Sequence, residues 1–220
     1  MSSNQEQARF NMIEQQIRPW LVLDPRVLEV MTEIPREHFV PDAYQGLAYA
    51  DIDIPLGETA QMLSPKVVGR MLQALAILPG DRVLVLGAGT GYTSACVAAL
   101  GGQVTGVELD ADLASSAQQR LDAMGFKARI RAGDALASPI DEGPFDAIAV
   151  TGSLPSEAQL PLLRQQLAVG GRLFVILGES PLMQAWLETR VAEGEFRREA
   201  LFETDIPSLQ NLPATEHFVF

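Results

Sequence analysis

The sequence predicts an α/β protein, a doubly wound, seven-stranded sheet with helices on both faces and an N-terminal helical extension. Three observations predict it. From Arg82 onward, short apolar runs alternate with segments of helical period, the pattern of repeated βαβ units. The first run, Arg82-Val83-Leu84-Val85-Leu86, is almost continuously apolar, as a strand buried on both faces of a parallel sheet must be. It runs directly into Gly87-Ala88-Gly89-Thr90-Gly91, a strand-to-helix turn whose glycines let a ligand approach the backbone.

The elements follow in order. Residues 6–17 carry Phe10, Ile13 and Ile17 at helical spacing. Asp24-Pro25 supplies an N-cap residue followed by proline at the first helical position, and Val27, Leu28, Met31 and Ile34 form the apolar face up to Pro35. Residues 40–64, interrupted by Pro41, Pro55 and Gly57, have no lasting period and read as a long irregular loop of the kind that is often functional. Ser64-Pro65 starts another helix, faced by Val67, Val68, Met71, Leu72 and Leu75. Beyond the Pro79-Gly80 turn come the strand at 82–86, a helix over 91–100, a strand at 104–107 and a helix marked by Leu113, Ala117 and Leu121. Strands follow at 129–131 and 145–150, then a helix marked by Leu160, Leu163 and Leu167 that stops at Gly170-Gly171, then a strand at 172–177. Segments near 184–192 and 196–206 supply two more strands, a closing hairpin. The organisation expected is one compact unit, with residues 1–78 packed on a core of residues 79–220.

Composition narrows the function. The chain is 47% hydrophobic and 20% charged, which excludes disorder as its dominant state. No run approaches 18 apolar residues, and the opening Met1-Ser2-Ser3-Asn4 lacks the basic start and apolar segment of a signal peptide. A single cysteine, Cys96, allows no internal disulfide, so nothing points to an oxidising compartment and a cytoplasmic protein is expected. With one Cys and only His38 and His217, no metal site is expected. The net charge of −12 repels phosphate backbones and anionic lipid, so neither nucleic acid nor a membrane is the expected partner.

A glycine turn alone is weak evidence of a ligand, but two carboxylates strengthen it. Glu108 follows the second strand of the alternating pattern, where a carboxylate accepts hydrogen bonds from ribose hydroxyls. Asp134 follows the third, where it can accept from an adenine amino group. All three features lie at strand C-termini, the face on which open α/β sheets bind ligands. Taken singly, Glu108 reads as a solvated strand end and Asp134 as a helix N-cap; taken together they point to a nucleoside. The ligand is NAD or S-adenosylmethionine, and the GxGxG turn with a terminal hairpin favours the latter, in a Rossmann-like methyltransferase fold.

The order of features resembles the protein-L-isoaspartate O-methyltransferase family over residues 12–209. The likeness is carried by Met12-Ile13-Glu14-Gln15-Gln16-Ile17-Arg18, by Asp24-Pro25-Arg26-Val27-Leu28 and by Ile34-Pro35-Arg36-Glu37-His38-Phe39-Val40-Pro41. It continues through Ala48-Tyr49-Ala50-Asp51, Pro55-Leu56-Gly57, Leu78-Pro79-Gly80-Asp81-Arg82-Val83-Leu84, Phe145-Asp146-Ala147-Ile148-Ala149-Val150-Thr151 and Gly170-Gly171-Arg172-Leu173. The resemblance implies methyl transfer from S-adenosylmethionine to the free α-carboxyl of isoaspartyl residues in damaged proteins. The ester then falls back to a succinimide, which can reopen to normal Asp. It also implies a cofactor set of Gly87, Ala88, Gly89, Gly91, Glu108, Leu109, Asp134 and Ala135, and an acceptor loop containing Thr59, Gln61, Met62 and Leu63.

Two positions depart from the family. Its loop reads Gly-Gln-Thr-Ile-Ser, one residue, then Pro, whereas this chain has Thr59-Ala60-Gln61-Met62-Leu63-Ser64-Pro65. The ungapped alignment puts Leu63 in place of the acceptor-contacting serine and Gln61 in place of the threonine. A shift of one residue would make Ser64 the catalytic hydroxyl, its other reading being an N-cap. Val85 stands where the family has an acid that helps to hold the cofactor's amino group. Three functions stay open: isoaspartyl methylation, methylation of another carboxylate or small-molecule acceptor, and binding without catalysis.

Overall fold

A computed structural model describes residues 3–58 and 60–212. Helix α1 spans Ser3–Asn11 and continues in a wider π-helical turn, Met12–Ile17, and a 3₁₀ turn, Arg18–Trp20. Helix α2, Pro25–Glu33, starts as its Asp-Pro signal predicts, with the Asp24 side chain accepting from the Arg26 amide at 2.9 Å. The segment expected to be irregular is more ordered than its composition suggests. It forms 3₁₀ turns at Arg36–His38 and Asp42–Leu47, then an antiparallel ribbon of β1, Ile54–Pro55, and β2, Gln61–Met62. Elements this short carry no sequence period. Helix α3, Pro65–Leu75, follows.

The main sheet contains β3 (Arg82–Leu86), β4 (Gln103–Glu108), β5 (Ala128–Ala132), β6 (Phe145–Leu154), β7 (Leu167–Glu179), β8 (Leu182–Ala192) and β9 (Glu195–Thr204). Their order is β5-β4-β3-β6-β7-β8-β9, parallel as far as β7 and antiparallel in the last two pairings. Helices α4 (Tyr92–Ala99), α5 (Ala111–Ala123) and α6 (Leu160–Gln165) make the crossovers. Helix α6 ends sooner than the leucine spacing predicts. Leu167 instead pairs with Phe145, and the register then shifts so that Arg172 opposes Ala147. That shift absorbs Gly170-Gly171 in a bulge within β7, where they had been expected to end a helix.

Alternation along the strands sorts the core into two layers. Val83, Val85, Ala147, Ala149, Phe174 and Ile176 face a cluster that includes Met12, Ile17, Met31 and Val67. Leu84, Leu86, Ile148, Val150, Leu173 and Val175 face Ile140, Leu160 and Leu163. The N-terminal helices therefore share one sheet face with α4 and α5, α3 lying against β6 and β7. Met71, Leu72 and Leu75 of α3 are fully buried there, and truncating one to Ala costs about 2–5 kcal/mol. No helix among the described residues is long and apolar enough to cross a membrane.

Candidate active site

The strand order reverses between β3 and β6, and a cleft opens there at the carboxyl ends of the parallel strands. It encloses about 770 Å³ of empty space out to its mouth, within the range of small-molecule sites. Gly87, Gly89, Glu108, Leu109, Asp134 and Ala135 line it.

The turn after β3 is built for close approach. Gly87 has φ +74°, and its amide and that of Ala88 both donate to the Val107 carbonyl, at 2.9 and 3.1 Å. A Cβ on Gly87 would lie 2.6 Å from the Thr151 Oγ1, which is itself hydrogen-bonded to the Leu86 and Gly87 carbonyls. Gly91 serves a different purpose from the one expected. It lies outside the cleft lining, at the start of α4 with φ +91°, and a Cβ there would meet Leu121 at 3.2 Å. It lets α4 and α5 pack closely. Ala88 is likewise behind the cleft, 4% exposed, its amide held by Val107.

Glu108 is 8% exposed, so it is not a solvated strand end. Its Oε2 accepts from the Gly89 amide at 2.8 Å and its Oε1 from the Asp110 amide at 3.2 Å. The carboxylate thus ties the end of β4 to the glycine turn and keeps lone pairs for further donors. Asp134 is not a helix N-cap. Its Oδ1 accepts from the Leu136 amide at 2.9 Å in an Asx turn, and its Oδ2 receives a long contact, 3.5 Å, from Asn211 Nδ2.

Ala60, Gln61 and Leu63, with Leu56, form the facing wall. Met62 lies just behind, its sulfur accepting from the Thr90 hydroxyl at 3.8 Å. Thr59 lies outside the described residues. Ser64 does not line the cleft: it is 4% exposed at the head of α3, with both its hydroxyl and its amide turned to Asp53. The geometry therefore withdraws the catalytic role considered for Ser64 and leaves Leu63 at the wall. As an N-cap residue Ser64 makes no side-chain capping bond. Val85 is fully buried against the N-terminal helices and is not part of the lining.

The sequence reading missed the remaining wall. Thr151, just past the last residue of β6 paired with β3, and residues Pro207, Ser208, Leu209 and Gln210 complete the cleft. Ser153 fastens this last segment, its amide donating to the Pro207 carbonyl at 3.0 Å and its carbonyl accepting from the Leu209 amide at 2.9 Å. The only signal for it was that the family likeness runs to residue 209. The tail from 213 on, considered as an edge strand or a partner contact, lies outside the described residues.

Among the described residues the cleft lining contains no cysteine, histidine or lysine. Cys96 is fully buried, and loss of solvation pushes its thiol up to about 12. Among the described residues no group of three or more His, Cys, Asp or Glu could hold a metal ion. The arrangement is suited to gripping a polar ligand and aligning a second one beside it.

The model of the family "Protein-L-isoaspartate(D-aspartate) O-methyltransferase (PCMT)" matches residues 6–204. A protein-L-isoaspartate O-methyltransferase of Koribacter versatilis is 41% identical over 196 residues, 88% of this chain and 86% of that protein. One of Aeropyrum pernix is 38% identical over 196 residues, 87% of this chain and 75% of that protein. A Plasmodium falciparum structure assigned to the same enzyme class, in complex with S-adenosyl-L-homocysteine, superposes with a TM-score of 0.79 over 96% of this chain and 100% of its own. At 19% identity that likeness speaks for the fold. The extent of the family match and the identity to its members establish that this chain belongs to the protein-L-isoaspartate O-methyltransferase family.

Proposed function

We propose that this chain transfers the methyl group of S-adenosylmethionine to the free carboxyl of isoaspartyl residues in damaged proteins and peptides. The observation that carries this reading is the pairing, across one cleft, of a nucleoside-type grip with an acceptor wall. Glu108 is braced on the glycine turn and Asp134 stands at the next strand end, while Leu56, Gln61 and Leu63 face them.

The residues present fit the cofactor. The turn at Gly87 leaves no room for a Cβ, so the backbone itself forms the floor. Glu108 would accept from the ribose hydroxyls, Asp134 Oδ2 from the adenine amino group, and Leu109 and Ala135 would flank the base. S-adenosylmethionine, when bound, supplies a methyl group made electrophilic by its sulfonium. The chain's own contribution is alignment and exclusion of water. An isoaspartyl carboxyl with an ordinary pKa of about 4 is ionised at neutral pH and needs no general base. Leu56 and Leu63 would shield the reacting carboxylate from solvent. Residues 1–78 would act with the core 79–220 as one unit, contributing the acceptor wall. A cytoplasmic setting accords with a single, buried cysteine, and a net charge of −12 speaks against nucleic acid as acceptor.

An isoaspartyl peptide incubated with labelled cofactor is expected to gain label; none above an enzyme-free control refutes the acceptor assignment. Leucine where the family has serine favours a second reading, another carboxylate or small-molecule acceptor. Family-typical rates on the peptide exclude it.

A further inference from the structure

We propose that Arg36 and Asp53 are positioning residues that grip the two ends of one peptide group, Leu63–Ser64, and so set the acceptor wall of the cleft. This rests on the functional reading above. Arg36 is fully buried. Its Nη2 donates to the Leu63 carbonyl at 2.7 Å and its Nε to the Ala48 carbonyl at 2.9 Å, while its guanidinium lies 5.0 Å from the centre of the Tyr92 ring. Asp53 accepts the Ser64 amide at 2.5 Å. Leu63 C=O and Ser64 N–H belong to the same peptide plane, so a cation holds its oxygen and an anion its nitrogen.

Both hydrogen bonds are charge-assisted, and each polarises the peptide in the sense that strengthens the other. Flipping the plane would turn the carbonyl toward a carboxylate and the amide toward a guanidinium. One orientation is therefore imposed, and with it the direction in which Leu63 leaves the backbone. Asp53 immediately precedes β1, whose Ile54 pairs with Met62 of β2, so the same clamp braces the ribbon. Leucine cannot hydrogen-bond a carboxylate. At this position the acceptor is met by shape, with Gln61 beside it as the wall's polar side chain, so placement of the wall governs capture.

The test uses the full chain with Asp53→Ala, Asp53→Asn and Arg36→Lys, which keeps the charge but loses the planar fork. Loss of one charge-assisted bond at the wall is expected to raise KM for an isoaspartyl peptide about tenfold in Asp53→Ala. The kcat is expected to stay within about threefold and the Kd of S-adenosyl-L-homocysteine within about twofold. Asp53→Asn, which keeps an acceptor for the Ser64 amide, recovers most of the KM; Arg36→Lys, if it folds, resembles Asp53→Ala. Amide exchange at Ser64, which needs no acceptor, is expected to quicken about tenfold in Asp53→Ala. An unchanged Ser64 exchange rate, an unchanged KM, or S-adenosyl-L-homocysteine binding that weakens in step with KM overturns the proposal. If the wild type methylates no isoaspartyl peptide, the acceptor assignment falls and the exchange rate alone decides the clamp.

Discussion

Replacing Glu108 by Gln gives the sharpest test of the cofactor grip, because shape is kept while charge and one acceptor are lost. In the wild type both carboxylate oxygens are engaged, Oε2 by the Gly89 amide at 2.8 Å and Oε1 by the Asp110 amide at 3.2 Å. An amide side chain must turn its NH₂ toward one of those two donors, where it cannot accept. The surviving oxygen is neutral, so its bonds to ribose hydroxyls weaken as well. A hydrogen bond to a charged group is worth about 1.5–3 kcal/mol against about 1 for a neutral one. Losing one such bond outright, with the other weakened, comes to about 1.5–3 kcal/mol, or roughly a 10- to 150-fold rise in Kd. Calorimetric titration with S-adenosyl-L-homocysteine reads this directly, and melting of the ligand-free variant separates it from unfolding. A Kd within twofold of wild type would refute the argument that this carboxylate holds the nucleoside.

The other expectations are independent. Gly91→Ala forces a side chain to φ +91° and presses it to 3.2 Å from Leu121; it should cost about 1–3 kcal/mol and several degrees of Tm, with ligand affinity in the folded fraction unchanged. Cys96, with its thiol pushed up to about 12 by burial, should resist a thiol reagent at pH 8 in the native state and react at once in denaturant. Burial alone would raise the Glu188 carboxyl, but hydrogen bonds and charge from Arg164 and Arg198, at 2.7 and 2.6 Å, outweigh it and hold the carboxyl below 4.5. Stability from Glu188 is therefore complete above pH 4.5 and lost as the pH falls through the lowered value. Glu188→Gln should cost about 3–5 kcal/mol at neutral pH by leaving Arg164 without its anion and Arg198 with Glu157 alone, and should flatten the acid limb of a Tm-against-pH curve.

How much of this the sequence discloses depends on how local each feature is. The run 82–86 and the glycines after it announce a strand and a turn because buried parallel strands and tight turns each demand particular residues. Glu108 and Asp134 are legible because parallel strands bring their carboxyl ends to one edge, so a position in the chain becomes a position in space. Gly91 belongs to the same motif, yet its task could not be told from that of Gly87 without seeing Leu121 against it. Arg36 lies within a recognisable motif, but its partner carbonyl is 27 residues away and no local pattern encodes that contact. The ribbon of β1 and β2 escaped notice because two-residue strands are too short to show alternation. Ser64-Pro65 does mark the start of α3, but a hydroxyl near a site is chemically attractive and only tertiary packing shows that Ser64 turns to Asp53.

The antiparallel end of the sheet has a consequence for biogenesis. Because β8 turns back and β9 turns again, the chain leaves β9 at the same edge where the parallel strands end, and residues 207–210 reach the cleft directly. Their anchor, Ser153, was laid down some 55 residues earlier. During synthesis every other part of the pocket can be in place while this wall is still missing. Contacts so distant in sequence form late, since closing a long loop costs entropy before any contact repays it. Competence to enclose a ligand thus reports that translation has passed the last strand, and a nascent chain stopped at Thr204 would carry a nearly finished sheet with an open pocket.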